Sequence, residues 1–483
     1  MIKLPMRSLA SIAVVTTLAG CAVGPDYKRP ALELPQTWPA TPAGAAAVAG
    51  DNARWWTIYG DGRLNTLVDE ALHNNTDLAV AVARLAEAEA QLGIVRSDQF
   101  PSVYGTAERS RDRATGAGSF TQPGVPLQTT TNRVALNVSY EIDFWGKYRR
   151  ATEAARAELL ASEAARDTVR ISLAAQVATA YFNLVALDQR LDATRLAVQR
   201  SKESLDMQKV RFDAGVVSSF EYQQRLAEHE ANLAQLPPVE RDRAATERAL
   251  AVLLGRSPRA VLDAQIERSK ADAMATADTG AQVALAVPAG LPSDLLLRRP
   301  DLREAEQKLI ASNARIGVAR AAYFPSISLT GLLGSESASL SNLFTGPARI
   351  WHFAGDLTQP IWTAGSVGSQ VAVARARNEQ TLAQYRNTIA NAFREVQDAV
   401  SAQAKAREIF DAESRRVSAL NQSYSLAKLR FASGVASQLE VIDNERSLIN
   451  AELNRIEAER AFRAAVADLF RAMGGSSVAP AKG

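Results

Sequence analysis

The chain has 483 residues, 47% of them hydrophobic, and a formal net charge of only +3 at neutral pH. This near-neutral charge argues against a nucleic-acid partner, which favours a basic surface. Cys21 is the only cysteine, so the chain can form no internal disulfide bond. Beyond the N-terminal leader, no run of about 18 apolar residues predicts a transmembrane helix.

The first 21 residues follow the pattern of an export signal. Lys3 and Arg7 form a positive n-region, and residues 9–18 form a short apolar segment. Leu-Ala-Gly then precedes Cys21, which is the pattern that a lipoprotein signal peptidase cleaves. Acylation of Cys21 predicts a firm anchor because several acyl chains bind membranes far more tightly than one. The alternative is an incidental cysteine behind an ordinary signal peptide. Because Ala22, not an aspartate, follows, we expect an outer-membrane lipoprotein.

The two halves of the chain share one sequence pattern. RFDAGVVSSFEY, which starts at Arg211, recurs as RFASGVASQLEV, which starts at Arg430, and further pairs recur at similar offsets. We therefore predict an internal duplication rather than the separate domains that length alone suggests. The expected divisions are a signal peptide (1–20), a lipidated N-terminal segment (21–66), repeat one (67–256), a linker (257–290), repeat two (291–475) and a tail (476–483).

Each repeat contains a very long stretch without Pro or Gly. These stretches run from Lys147 to Ala214 and from Ser369 to Ser433, and both are rich in good helix formers. A helix of about 65 residues spans about 100 Å. In the first stretch, apolar residues recur by threes and fours from Val169 to Val198. This spacing is typical of a coiled-coil seam.

The 12-residue motif that occurs in both halves predicts a hairpin tip between two antiparallel helices. Gly215 and Gly434 end the long helices, where a left-handed residue is favoured. Ser218 and Ser437 can then cap the returning helices. The first returning helix is interrupted by Pro237-Pro238, which predicts a bend or loop that the second copy lacks.

Four segments between the helices predict β-strands. From Val134 to Phe144, apolar residues alternate with polar and acidic ones, and similar segments span Phe100–Arg109, Phe324–Gly334 and Ile350–Ile361. This alternation is typical of a membrane barrel strand that faces lipid on one side and the lumen on the other. A surface strand of a soluble sandwich would look similar. Because four strands cannot close a barrel and open edges are not tolerated in lipid, a membrane barrel requires several chains.

Four separated motifs carry a resemblance to a known family. They are CAVGPDYKRP after the cysteine, RWWTIYGDGRLNTLVDEAL, GLPSDLLLRRPDLREAE, and FPS before each strand pair. Together they resemble the TolC-like outer-membrane factors of tripartite efflux pumps, and within them the NodT-type lipoproteins. The resemblance implies an α+β membrane protein in the Gram-negative outer membrane. It also implies a homotrimer whose 12-stranded β-barrel continues into a coiled-coil helical tunnel in the periplasm. The expected partners are a periplasmic adaptor and an inner-membrane transporter of the resistance-nodulation-division type.

The same resemblance implies a gate at the hairpin tips. The family closes its tunnel there with rings of acidic residues and their polar partners. The acids that follow the two tips are Glu221 and Glu440, and Asp443 matches a further acid. Arg446 matches their basic partner, and Leu439 matches an apolar constriction. Ala436 stands where the best-known member has an arginine, so the lock is centred either on the two glutamates or on Asp443 and Arg446. The alternative is that all are solvated charges at helix ends, which the helix dipole favours.

Other classes of function fit the sequence less well. Three widely separated histidines and the lack of a nucleophile elbow or phosphate loop argue against an enzyme, and apart from lipid on Cys21 we expect no cofactor. A lipid-anchored coiled-coil tether would have no use for the alternating strands. A duct for small molecules such as drugs is therefore expected, with a metal-efflux or type I secretion duct as the alternative.

Overall fold

A computed structural model describes residues 22–33, 52–115, 117, 126–263, 265–268 and 295–475. The predicted signal peptide, Cys21, most of the predicted linker and the C-terminal tail lie outside the described residues. The chain divides into two compact units. Of the described residues, those within 1–31, 84–163 and 304–386 form unit one, and those within 32–83, 164–303 and 387–483 form unit two.

In the first half of the chain, two short helices precede a strand hairpin, a long helix and its returning helices. A 3₁₀ helix at Asn52–Tyr59 leads into them. They are α1 (Gly62–Asn74), α2 (Thr76–Ser97), β1 (Ser102–Arg113), β2 (Gln128–Glu141), α3 (Lys147–Asp213), α4 (Ser219–Ala234), α5 (Leu236–Leu253) and α6 (Pro258–Leu262).

The second half repeats this order. Its elements are α7 (Leu295–Arg298), α8 (Pro300–Ala321), β3 (Ser326–Ser337), β4 (Arg349–Thr358), α9 (Ser366–Ala432) and α10 (Gln438–Ala472). The two predicted long helices are confirmed, since α3 and α9 each contain 67 residues. The boundaries of the two repeats stay a prediction.

Unit one contains one antiparallel sheet in the order β1-β2-β3-β4. The four predicted strands are confirmed. At the ends away from the long helices, however, they continue beyond the residues that alternate between apolar and polar. The β1–β2 ladder continues as far as Arg113 opposite Gln128, and β3 continues to Ser337. The extension occurs because backbone hydrogen bonds, which make the ladder, do not require apolar side chains. Strands β1 and β4 form the two edges of this sheet.

The residues that follow Cys21 also belong to unit one and lie against α8. Gly24 has a φ of +126°, and a Cβ atom there would stand 2.6 Å from the Cα atom of Gly317. Further along, the Arg29 guanidinium donates two hydrogen bonds of 2.6 and 2.7 Å to the Glu306 carboxylate. This N-terminal segment is therefore held by a close backbone approach that only glycine permits and by an ion pair.

Unit two has the larger hydrophobic core. Trp55 stacks on Phe470 with ring centroids 5.0 Å apart, and the Tyr181 hydroxyl donates a 2.5 Å hydrogen bond to Asp61, the N-cap of α1. Within the described residues, one helix contains a window apolar enough to cross a membrane, in α3, with a mean hydropathy of 1.3. Because 56% of that window is buried inside the protein, its side chains serve the core. The buried face of α3 also includes Phe182, so it is wider than the predicted coiled-coil seam.

The returning helices differ between the two halves. Helix α4 ends at Ala234 and α5 begins at Leu236, whereas α10 runs without a break for 35 residues. The predicted interruption is thus present, but Pro237 lies in the first turn of α5 rather than in a loop. Proline fits there because the first helical residues have no intrahelical partner for their N–H groups.

Candidate functional site

Two turns of the same construction join the long helices to their returning helices. We name the turn Ala214–Ser218, together with the helix ends that contact it, tip one, and the turn Ser433–Ser437, together with its helix ends, tip two. Gly215 and Gly434 have φ values of +70° and +73°, and in each tip the next residue donates a 2.9 Å hydrogen bond back to the arginine five residues earlier. A Cβ atom on either glycine would meet nothing within 4 Å. Glycine is therefore needed at both positions for its left-handed backbone and not for space.

In tip one, Glu221 closes a capping box with Ser218. The Ser218 hydroxyl accepts a hydrogen bond from the Glu221 N–H at 3.3 Å, while the Glu221 carboxylate accepts from the Ser218 N–H at 2.8 Å and from its hydroxyl at 3.0 Å. These bonds, the backbone one first, lower the pKa of Glu221. The carboxylate of Glu221 is thus engaged in holding the start of α4.

In tip two, the corresponding acid makes a different contact. Ser437 accepts a hydrogen bond from the Glu440 N–H at 3.3 Å, but the Glu440 carboxylate lies 3.7 Å from the Arg430 guanidinium at the end of α9. The Arg430 side chain is 56% exposed and the Glu440 side chain 38% exposed, so solvent screens this ion pair and it adds little stability. Glu440 therefore links the two helices of its hairpin loosely.

The remaining predicted gate residues lie on exposed positions of α10. Asp443 and Arg446 are three residues apart and share a face of the helix. Neither has an ion-pair or hydrogen-bond partner for its side chain among the residues that the structure describes. Leu439 is half exposed in the first turn of α10. This face is therefore free to meet another chain or a solute.

Glu445 lies on the opposite, packed face of α10 and was not predicted from the sequence. Its carboxylate is 3.9 Å from the Arg200 guanidinium of α3. Glu445 also interacts with Tyr424 of α9. The pKa of Tyr424 is raised by burial, by the charge of Glu445 and by a hydrogen bond to Glu445. Glu445 thus joins one hairpin to the other. The available signal is its spacing, since it lies midway between the buried Ile442 and Leu448 on an apolar stripe.

Arg446 borders a cleft of about 490 Å³ that α4 and α3 also line. Arg225 of α4 is buried there and donates a 3.0 Å hydrogen bond to Glu228. The structure therefore brings Arg446 close to the first hairpin, whereas the sequence placed it only beside Asp443. Cys21, the predicted lipidation site, lies outside the described residues.

Solved structures of outer membrane channels are similar to this chain over most of its length. The CmeC channel of Campylobacter jejuni superposes with a TM-score of 0.84 at 28% identity, covering 94% of this chain and 95% of that one. The open state of the MtrE channel of Neisseria gonorrhoeae superposes with a TM-score of 0.80 at 31% identity, covering 94% and 98%.

Three named relatives align over almost the whole of their own length and of this chain. The toluene efflux pump outer membrane protein TtgC of Pseudomonas putida is 35% identical over 97% of this chain and 96% of its own length. The cation efflux system protein CusC of Escherichia coli is 32% identical over 97% and 98%. SilC of Salmonella typhimurium, described as a "probable outer membrane lipoprotein", is 30% identical over 97% and 99%.

The sequence profile of the family described as "Outer membrane efflux protein" matches residues 67–256 and 291–475. With the solved outer membrane channels, this match confirms the predicted fold class, an α+β membrane protein that combines barrel strands with long helices. It also confirms the outer-membrane location and the role as an efflux duct. The chain belongs to the outer membrane efflux protein family.

Proposed function

We propose that this chain is the exit duct of a tripartite pump for small toxic molecules and that its gate lies at tips one and two. The observation that carries the proposal is the free face of α10 beside tip two, where neither Asp443 nor Arg446 has an ion-pair partner within the described chain. A charged face of this kind suits a ring of copies around an aperture.

The proposed assembly is a homotrimer. The sheet of one chain has four strands and two edge strands, β1 and β4. Because lipid tolerates no unpaired strand edge, the β4 edge of one copy must pair with the β1 edge of the next until the barrel closes. Three copies give the twelve strands that the family resemblance implies.

We place the lock of the gate on Asp443 and Arg446. The other acids of the predicted ring are engaged locally, Glu221 by its capping box and Glu440 by Arg430. In a trimer, three copies of Asp443 repel one another unless an opposite charge lies between them. Arg446 of the same or the next copy supplies that charge, and Leu439 narrows the same passage.

The tips also suit a periplasmic adaptor. The tip residues Val216 and Val435 are 65% and 71% exposed, and Phe220 next to tip one is 74% exposed. Exposed apolar groups at the end of a hairpin mark a contact surface for a partner protein. We assign that partner to the adaptor, and through it to an inner-membrane transporter of the resistance-nodulation-division type.

Acylation of Cys21 is part of the proposal. Val23, two residues after Cys21, donates a 3.0 Å backbone hydrogen bond to the Trp145 carbonyl, so the described segment that follows Cys21 is fixed to unit one. The relative SilC is described as a "probable outer membrane lipoprotein". Beyond this lipid we propose no cofactor and no catalytic step.

The class of molecule that the duct exports differs between the relatives. The relatives are described as carrying out efflux of toluene in one case and of cations in another, at 35% and 32% identity. We favour small organic molecules as the cargo, and metal ions are the alternative. Export of each class by cells that carry the complete pump, with and without this chain, separates the two.

Single-channel conductance in planar bilayers tests the gate. Because the closed aperture depends on compensated charges, Asp443→Ala and Arg446→Ala each raise conductance, by about threefold or more if the tips spread. The matched control is Asp398→Ala, which removes an exposed acid paired with Arg394 at 3.1 Å within α9, far from the tip. Conductance like that of the unchanged protein in both gate variants would show that the aperture lies elsewhere.

A further inference from the structure

The four strands separate their charges between the two faces of the sheet. Every acidic residue of the strands lies on one face, and these are Glu108, Asp112, Glu141, Glu336 and Asp356. The other face has four arginines and no acid, and these are Arg109, Arg111, Arg113 and Arg349. The register fixes this division because side chains on paired residues project to the same side of a sheet.

The arginine face is also the apolar face. One row across it joins Leu136, Leu333 and Trp351, and the row on the helix side of it ends in Phe353. Leu136, Leu333, Trp351 and Phe353 are 53–72% exposed in the single chain. Because an apolar face that alternates with an acidic one is the outer wall of a membrane barrel, this face contacts lipid.

The arginines lie at one end of that apolar face. Arg349 occupies the row directly beyond Trp351, and Arg109, Arg111 and Arg113 follow at the end of β1. Rows on one face are about 7 Å apart, so the four positions begin where the apolar band stops. This is the end of the hairpin loops, opposite the end where the strands join the long helices, and therefore the side of the outer leaflet.

None of the four guanidinium groups is neutralised by a neighbour within the described residues. Arg111 donates a 3.1 Å hydrogen bond to the neutral amide of Gln128, and no carboxylate pairs with any of the four. The sequence adds no acid nearby, since no Asp or Glu occurs from residue 113 to 140 or from 337 to 355. The positive charge at this rim therefore faces the lipid headgroups uncompensated.

A shallow groove leads from Arg349 into the apolar band. It has a volume of about 720 Å³, and its lining includes Gly105, Leu136, Phe344, Arg349 and Trp351. The groove exists because Gly105 and its neighbour on the same face, Ala107, are small beside Leu136. An acyl chain can lie in this groove while its headgroup meets Arg349.

We propose that this rim binds a phosphate-bearing, multiply acylated glycolipid of the outer leaflet. The guanidinium groups bind its phosphates through paired hydrogen bonds, which Arg forms with phosphate better than Lys does. The groove holds one of its acyl chains. In the proposed trimer, β4 of one copy pairs with β1 of the next, so Arg349 of one copy and the three β1 arginines of the next share one junction. That last step rests on the proposed homotrimer, whereas the charged rim of each chain does not.

Native mass spectrometry of the purified full-length protein in detergent tests the proposal. The probe is a bisphosphorylated, hexa-acylated glucosamine disaccharide. The test variant carries Arg109→Gln, Arg111→Gln, Arg113→Gln and Arg349→Gln, and the matched control carries Arg133→Gln with Glu336→Gln, an ion pair at the same end on the acidic face. We expect the test variant to bind the probe at least about tenfold more weakly and the control to bind it like the unchanged protein.

Two further measurements keep the outcome decisive. The unchanged protein should bind the dephosphorylated probe at least about tenfold more weakly than the probe itself, and this arm requires no variant to fold. Inorganic phosphate should not displace the probe. Equal binding of both lipids, full binding by the test variant or displacement by phosphate would each overturn the proposal. Conductance and oligomer mass of the same samples report separately on the duct and the trimer.

Discussion

The two hairpin tips share a sequence motif and a turn, yet they hold their side chains differently. In tip one, Glu221 closes a capping box and Phe212 stacks on Tyr222 with ring centroids 5.2 Å apart. In tip two, Glu440 reaches Arg430 instead, and Val441 stands where Tyr222 would be. Tip one is therefore stabilised by a capping box and a ring stack, and tip two by a weaker ion pair.

The returning helices extend this difference away from the tips. Helix α4 ends after 16 residues, close to Pro237, whereas α10 continues for 35 residues. Coupling between distant points is carried by rigid secondary-structure elements, and α10 is one such unbroken element whereas α4 and α5 are not. The firmer tip thus has the interrupted helix and the looser tip has the continuous one. This pairing favours tip two as the moving part of the proposed gate.

The largest expected effect tests what the tips have in common. Gly215→Ala and Gly434→Ala should each lower the local opening free energy of its own tip by about 1–2 kcal/mol, because alanine is strained at a left-handed φ. Hydrogen exchange of the tip amides measures this effect. Gly62→Ala, at a helix start with open space, is the control and should cost nothing. Clearly unequal costs at the two tips would show that their turns are not equivalent.

A smaller effect tests how tip one and tip two differ. Tyr222→Val should lower the opening free energy of tip one by about 1 kcal/mol, because it removes the stacked ring on Phe212. The same exchange measurement then finds the two tips more alike. Val441→Ala in tip two is the matched control and removes no ring contact. If tip one keeps its protection in Tyr222→Val, the stack is not what makes it firmer.

The smallest effect is a pH dependence confined to tip one. Hydrogen bonds from Ser218 hold the pKa of Glu221 below its ordinary value of 4.5. A lowered pKa means that the capping box stabilises the tip fully above pH 4.5 and that this contribution is lost as the pH falls through the lowered value. The protection factor of the Ser218 amide should therefore decrease below pH 4.5. In Glu221→Gln this step should be missing, and a step that persists there must come from another group.

Much of the fold could be predicted because its signals are local. The length of α3 and α9 follows from stretches without Pro or Gly, and the strands follow from alternation. The outer ends of the strands were predicted too short, since the ladder of β1 and β2 continues through polar residues such as Arg111 and Thr130. Side-chain pattern sets the face of a strand, but backbone pairing sets its end.

The site was less predictable because its contacts join distant segments. Ser218 and Glu221 have the spacing of a capping box, and Ser437 and Glu440 have the same spacing. Only in tip one does the described structure form both hydrogen bonds of the box. The role of Glu445 depends on Arg200, which lies 245 positions earlier, and no local pattern reports such a partner.

The open edges of the four-stranded sheet determine how the channel can be made. The sheet of a single chain is unstable in lipid, because β1 and β4 each leave a row of backbone groups unpaired. Insertion and association must therefore occur together, and the rate of channel formation should rise steeply with the surface density of chains. A lipid on Cys21 would raise that density by confining each newly exported chain to the membrane plane. The anchor would then serve chiefly as an aid to biogenesis, which the finished channel no longer requires.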